Sequence, residues 1–306
     1  MTTSKSPQQA NWPAPFIIEP SSPPHTTTFI LLHGLGSNGE KFGRELLDTG
    51  ISSDGHSLRT AYPSARFIYP TAKTRRVTAL KRSRVPAWFD MYSLGDRLYR
   101  EDVQIEGLVE SSEYIRVLIE RELRGSLQPK DIILGGISNG CALGLTTLLS
   151  LAYPIGAFVG LCARLPFRGD IEDVIRHADA VINGQGDGEV TFGEEDDAVA
   201  SELKDPAIEV LTLVRDLVSI DAKVGEESIS IAKSALTTPV FLGHGEQDNV
   251  VPCFLGKDAA QTLTSLNVDV TWKLYPDLGH WYKIPDEIDD ILAFLRDKAQ
   301  LFDTEK

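Results

Sequence analysis

The sequence is short of the features that would set it apart from an ordinary compact enzyme. Cysteine occurs only as Cys141, Cys162 and Cys253, with no CxxC spacing. That pattern suggests neither a disulfide framework nor a zinc site, and the thiols read as buried and reduced. No apolar run reaches the roughly 18 residues that a membrane span needs. The polar, proline-containing start has no secretory core, and neither end carries a lipidation signature. No permanent membrane anchor is therefore expected, and the cytoplasm is the expected compartment. Excess positive charge is also missing, since the formal net charge is −14 and the pI is about 4.9. Such a field repels phosphate backbones, so nucleic acid drops out as a partner. Internal repeats and low-complexity tracts are absent.

What is present suits a catalytic domain. A chain of 306 residues, 42% of them hydrophobic, accommodates one large domain with a sizeable core, or a domain with an inserted cap. Residues 1–25 carry six prolines and read as a loose, flexible tail enclosing a short strand near Phe16–Ile18. Beyond it, over 26–306, short apolar runs bounded by turn residues recur at Thr28–Leu32, Arg66–Tyr69, Ile132–Leu134, Ala157–Leu161, Val240–Leu242 and Val270–Leu274. Each reads as a strand buried on both faces. Helical patterns fall between them. The clearest is Ile105, Leu108, Val109, Ile115, Leu118, Ile119 and Leu123; others run over 138–151, 256–266 and 285–301. Strands alternating with helices predict an α/β fold with a mostly parallel sheet covered on both sides.

One segment breaks the alternation. Residues 168–236 hold 17 acidic residues against 6 Lys and Arg, a difference of −11 that accounts for most of the net charge. This reads as a lid-like helical insertion with a solvated acidic face. Positive charge gathers instead at Lys73, Arg75, Arg76, Lys81, Arg82 and Arg84, in a loop following the strand that ends at Tyr69. Such a loop is ordinarily just solvated; the sharper alternatives are attraction of an anionic head group or docking against the acidic insertion.

The chemistry centres on Gly136-Ile137-Ser138-Asn139-Gly140. A GxSxG pentapeptide alone is weak, but this one follows the apolar run at 132–134 and precedes the small and apolar stretch Cys141–Leu151. Strand, sharp turn and buried helix is the arrangement that exposes a nucleophilic serine at a helix N-terminus, where negative charge is favoured. A serine hydroxyl also needs a base to take its proton and a carboxylate to hold that base in the right tautomer. Asp248 follows the run at 240–242, with Glu246 as a competitor for the same role. His280 follows the run at 270–274. His25 and His56 lie in polar segments and His177 in the insertion, so all three fit poorly as the base. His33 and His244 follow strands but read as structural. Acyl transfer also needs donors for the developing oxyanion. The backbone N–H groups of Leu35, in His33-Gly34-Leu35-Gly36, and of Asn139 are the candidates.

With these stretches in view, together with Pro86-Ala87-Trp88-Phe89-Asp90 and Leu165-Pro166, the chain resembles the acyl-protein thioesterase, lysophospholipase and carboxylesterase family of α/β-hydrolases. The resemblance implies a cytosolic enzyme without metal or organic cofactor that cleaves carboxyl esters or thioesters, in some members on lipidated proteins. It places the triad on Ser138, Asp248 and His280 and the oxyanion donors on Leu35 and Asn139. The chain departs from the family pattern at Asn139, where Gln is usual, and at Arg164, where Trp commonly precedes Leu-Pro. It departs again at Trp281 and Tyr282, which would narrow the mouth of the site, and in the length of 168–236. Trp88, Phe89, Leu94, Arg164 and Trp281 are the expected substrate-binding residues, although Trp88 could equally be plain core. Two other readings stand beside esterase or thioesterase. One is a hydrolase of a small ester or thioester from specialised metabolism; the other is a catalytically silent binding protein of this fold.

Overall fold

The computed structural model describes residues 12–182, 205–220 and 233–301. Nine strands occur among them: β1 (Phe16–Ile18), β2 (Thr27–Leu32), β3 (Ala65–Tyr69), β4 (Thr74–Val77), β5 (Ser83–Pro86), β6 (Ile132–Ile137), β7 (Ala157–Leu161), β8 (Val240–Gly245) and β9 (Val270–Tyr275). The helices are α1 (Gly39–Thr49), α2 (Leu58–Ala61), α3 (Ile105–Leu123), α4 (Asn139–Ser150), α5 (Arg168–Ile182), α6 (Pro206–Leu217), α7 (Cys253–Ser265) and α8 (Asp286–Lys298). Seven strands form one sheet in the order β1-β3-β2-β6-β7-β8-β9, with β1 antiparallel and all the other pairings parallel.

Alternation along each strand sends its side chains into two cores. Ile30 and Leu32 of β2 join α3, α4, α6 and α7 on one face, where Ile115, Leu145, Val210 and Leu263 meet. Phe29 and Leu31 point the other way, toward Phe42, Leu46, Ile288 and Phe294 of α1 and α8. Strands covered on both sides have little room for polar residues, and β2, β6, β7 and β8 are buried throughout. The edge strand β9 differs from the expectation of full burial: only Tyr275 is buried. With one edge unpaired and fewer helices over it, β9 keeps partial contact with water.

Three further expectations are amended. The described part of the 1–25 stretch is docked rather than loose: β1 pairs with β3, and the Trp12 ring lies 4.2 Å from that of Tyr114 at an interplanar angle of 5°. The basic loop is largely a two-stranded hairpin, β4–β5; Arg75 within it and Lys73 just before it pair with Glu110 of α3. Within 168–236, α5 and α6 are helical, and α6 buries Val210, Leu211 and Val214 in the core beside α4. That segment's acidic run at 194–197 lies outside the described residues.

Candidate active site

The parallel strands deliver their following loops to one edge of the sheet, the edge where α/β folds bind ligands. β6 ends there at Ile137, and α4 starts at Asn139, leaving one residue for the turn. Ser138 makes it with φ 57° and ψ −117°, a backbone conformation that L-residues seldom adopt and that is tolerated where surrounding contacts enforce it. Its N–H donates to Leu161 O at 2.9 Å. The close approach of β2 explains the flanking glycines. A Cβ on Gly140 would come within 2.4 Å of Leu32 O, and one on Gly136 within 2.7 Å of the same atom.

Asp248 lies in the loop after β8, buried, and its two oxygens are fully engaged. Oδ1 accepts from the N–H groups of Val250 and Val251, both at 2.8 Å. Oδ2 accepts from His280 Nδ1 at 2.7 Å and lies 3.2 Å from His244 Nε2. Burial alone would raise this carboxyl, but the bonds from His244, His280 and Val251 outweigh it and hold the group well below the usual carboxylate range. Glu246 is exposed and makes no such contact, so the partner of His280 is Asp248. Because Nδ1 carries the proton shared with Asp248, Nε2 of a neutral His280 is left as an acceptor. The Ser138 hydroxyl and the His280 ring line the same cleft without a direct hydrogen bond, a gap that substrate commonly closes.

The other strand-end histidines are structural. His33 Nε2 accepts from Ala72 N at 3.0 Å, so Nδ1 donates to Gly34 O at 2.7 Å. Burial lowers its pKa to about 4, and it stays neutral. His244 donates from Nε2 to Val251 O at 2.8 Å, which steadies the Asp248 loop. Leu35 N–H sits in the turn closed by Ser37 N to Gly34 O, and Asn139 N–H is the first of α4, where no intrahelical partner exists.

The cleft around Ser138 holds about 240 Å³ and is lined by Leu35, Leu94, Asn139, Arg164 and Trp281 among the expected residues. Trp88 and Phe89 are not among its walls. Both are fully buried, and Trp88 is core: its Nε1 donates to His33 O at 2.8 Å and its N–H to Asn139 Oδ1 at 3.0 Å. Phe89 lies beneath the Arg164 guanidinium, 5.3 Å from it. Of the aromatic pair after His280, Trp281 reaches the cleft, but Tyr282 turns into the second core and bonds Thr49. No described residue between 168 and 236 lines the cleft. Sequence reasoning missed Met91, Arg97 and Val250 in its walls. Val250 was recoverable from its place two residues after Asp248; Arg97 had no signal, because it closes on Val250 O from 153 residues away.

Cys162, Asp248 and His280 place potential ligand atoms within 4.8 Å of one another. With both Asp248 oxygens and His280 Nδ1 already hydrogen-bonded, the cluster is better described as a histidine–carboxylate pair with a neighbouring thiol than as a metal centre.

A mostly parallel sheet, a strained serine elbow and a histidine–aspartate pair at one sheet edge define an α/β-hydrolase of the serine ester or thioester hydrolase class. Comparison with known proteins supplies the family. The family model described as phospholipase/carboxylesterase matches residues 13–218 and 224–298, and the chain belongs to that family. It is similar to acyl-protein thioesterase 1 of Gibberella zeae, 29% identical over 92% of this chain and 94% of that protein. The same-named protein of Saccharomyces cerevisiae is 26% identical over 89% of this chain and 93% of its own length. Among solved structures, acyl-protein thioesterase 2 of Zea mays superposes with a TM-score of 0.60 at 22% identity, covering 93% of this chain and 98% of that one. Among the described residues no helix is long and apolar enough to cross a membrane.

Proposed function

We propose that the chain hydrolyses acyl esters or thioesters with Ser138 as nucleophile, His280 as base and Asp248 as the group that orients it. The observation carrying this reading is the 2.7 Å bond to a buried Asp248 from Nδ1 of His280, which lines the cleft that holds the strained Ser138. His280 Nε2 takes the Ser138 Oγ proton as the oxygen bonds to the acyl carbon. The Leu35 and Asn139 N–H groups receive the oxyanion. As the carbonyl re-forms, the bond to the alcohol or thiol breaks and the leaving group takes the proton from His280. Water, deprotonated by the same nitrogen, then attacks the acyl-enzyme, and Ser138 leaves with its proton restored while the acid departs. Asp248 remains ionised throughout and stabilises the imidazolium.

The names of the curated relatives support an acyl group carried on a protein as one substrate class. A small ester or thioester is the second reading, favoured by a cleft of about 240 Å³, below the roughly 300–1,000 Å³ of sites for drug-sized ligands, and by Arg164 in its wall. The unpaired cysteines support a reducing compartment, and we place the protein in the cytoplasm. A fluorophosphonate probe should label the wild type and not Ser138→Ala. Absence of Ser138-dependent labelling would favour a catalytically silent binding protein. A chain-length series of p-nitrophenyl esters, run beside acyl-CoA and a palmitoylated peptide, separates the two substrate classes.

A further inference from the structure

The Ser138 cleft contains more buried positive charge, and more unused hydrogen-bond donors, than a neutral ester requires. Arg97 and Arg164, only 7% and 4% exposed, both line it, as does Asn139 at 4%. Arg164 Nη2 donates to Gln104 Oε1 at 2.8 Å. Its Nη1 lies 3.6 Å from Glu101 Oε1, beyond hydrogen-bond reach, and has no partner. Arg97 donates from Nη2 to Val250 O at 2.8 Å and from Nη1 to Met91 Sδ at 3.1 Å, a weak acceptor, while its Nε is unpartnered. The Asn139 amide is oriented by Trp88 N, which bonds its Oδ1, so Nδ2 is left open. All three open atoms of these cleft-lining residues are buried N–H donors.

The charges are equally lopsided. Burial lowers both arginines, Arg164 to about 10, yet each remains a cation at neutral pH. Glu101 offsets Arg164 in part. Arg97 has no carboxylate within ion-pair distance among the described residues; Asp248 attracts it only from farther away, and Asp248 is already committed to His280 and His244. A buried guanidinium without a counter-ion is costly to keep unless something supplies one. A guanidinium offers a planar donor fork that matches a carboxylate.

We propose that Arg97, Arg164 and the Asn139 side chain form an anion subsite inside the Ser138 cleft, so that the substrate is a compact ester or thioester bearing a carboxylate close to the scissile carbonyl. This rests on Ser138 being the nucleophile and adds the substrate's charge to that reading. The carboxylate belongs either to the acyl group, as in the half-ester of a dicarboxylic acid, or to the leaving group.

Two matched pairs of esters distinguish these sources. Mono-p-nitrophenyl succinate and glutarate against p-nitrophenyl butyrate place the charge on the acyl side; 4-carboxyphenyl acetate against phenyl acetate places it on the leaving group. One charged ester should exceed its neutral partner in kcat/KM by at least about tenfold, the worth of one charge-assisted hydrogen bond. Free succinate or glutarate should inhibit the wild type competitively, a measurement that needs no variant. The charged-to-neutral ratio should collapse toward unity in Arg97→Met and Arg164→Met and recover partly in Arg97→Lys. A merely structural role for the arginines would lower both rates together and leave the ratio in place. Neutral esters turned over as fast as or faster than charged ones, by an enzyme that labels at Ser138, would overturn the subsite alone. Loss of labelling and of all hydrolysis would overturn the catalytic reading and the subsite with it.

Discussion

Around Asp248, three N–H groups donate to two carboxylate oxygens and His244 Nε2 lies 3.2 Å from one of them, and the His33 ring has both nitrogens bonded. Among the residues lining the Ser138 cleft, Arg97, Arg164 and Asn139 each keep a buried N–H without a partner. The first region is arranged to hold one geometry, since every bond fixes a ring or a loop before substrate arrives. The second has capacity left over, which makes energetic sense where a ligand completes it. We read the bonded groups around Asp248 as holding the proposed catalytic geometry, although His244 Nδ1 there also lacks a partner, and the open donors of Arg97, Arg164 and Asn139 as left for a ligand.

The largest expected effect tests the satisfied side at its centre. Ser138→Ala should lower kcat on p-nitrophenyl esters by on the order of 10⁴–10⁶ with little change in melting temperature. Asp248→Asn should follow at about 10⁴, because an amide facing His280 Nδ1 disfavours the tautomer that leaves Nε2 free. It should also destabilise the fold by about 1–3 kcal/mol, because the N–H groups around one of the two oxygens would then face an N–H₂ group. Steady-state kinetics and thermal melts on the two variants check both statements; an Asp248→Asn enzyme within tenfold of wild type would show that the bonded geometry is not what catalysis uses.

Much of the satisfied side was legible in the sequence because it is local. The elbow is five consecutive residues, and Asp248 and His280 each follow an apolar run that ends at the same sheet edge. The strands were legible because β2, β6, β7 and β8 are buried on both faces and read as unbroken apolar runs. The open side was not. Arg97 sits in a polar stretch without periodicity and reaches the site only through a contact 153 residues distant. Trp88 was ambiguous between wall and core because sequence does not say which way a buried indole faces, and its bonds to His33 and Asn139 decide for core. Helix α1 carries only a short signal, because its buried face rests on two large apolar residues, Phe42 and Leu46, one turn apart. The hairpin β4–β5 was hidden by its arginines, whose charge suggests a loop.

An open polar group away from the cleft serves as a control for the comparison. Glu287 is 1% exposed, takes Lys283 N at 2.8 Å, and leaves Oε1 without a partner; it does not line the cleft. Burial raises its pKa from 4.5 to about 8. The folded state therefore binds a proton that the unfolded chain releases at lower pH. The associated stability is complete below about pH 4.5 and is lost as pH rises through about 8. Glu287→Gln imitates the protonated group and should remove that loss, on the order of a few kcal/mol at pH 8.5. Melts of both proteins at pH 5 and 8.5 should show a gap that widens with pH, while the charged-to-neutral substrate ratio stays put. A changed ratio would mean that unsatisfied groups report on more than the cleft, and the comparison would fail.

The smallest effect concerns how the satisfied side is supported from outside. Trp12 stacks on Tyr114, lies 6.3 Å from Trp88 and carries the Lys73 ammonium 4.7 Å above its ring. Trp88 in turn holds His33 O and Asn139 Oδ1, one bond to each of the two loops proposed to carry the oxyanion donors. Trp12→Ala removes a half-buried stacked ring, worth about 1–2 kcal/mol, and should lower the melting temperature by a few degrees. Because Trp88 keeps its own two hydrogen bonds, kcat should fall by less than about threefold, well under 1 kcal/mol in barrier. A melt paired with kcat on one neutral ester measures both. If kcat drops further than that while the fold stays intact, the loops proposed to hold the oxyanion depend on the docked N-terminal segment for their position, and the rigidity of the proposed site is then borrowed from a stretch that the sequence alone gives as a loose tail.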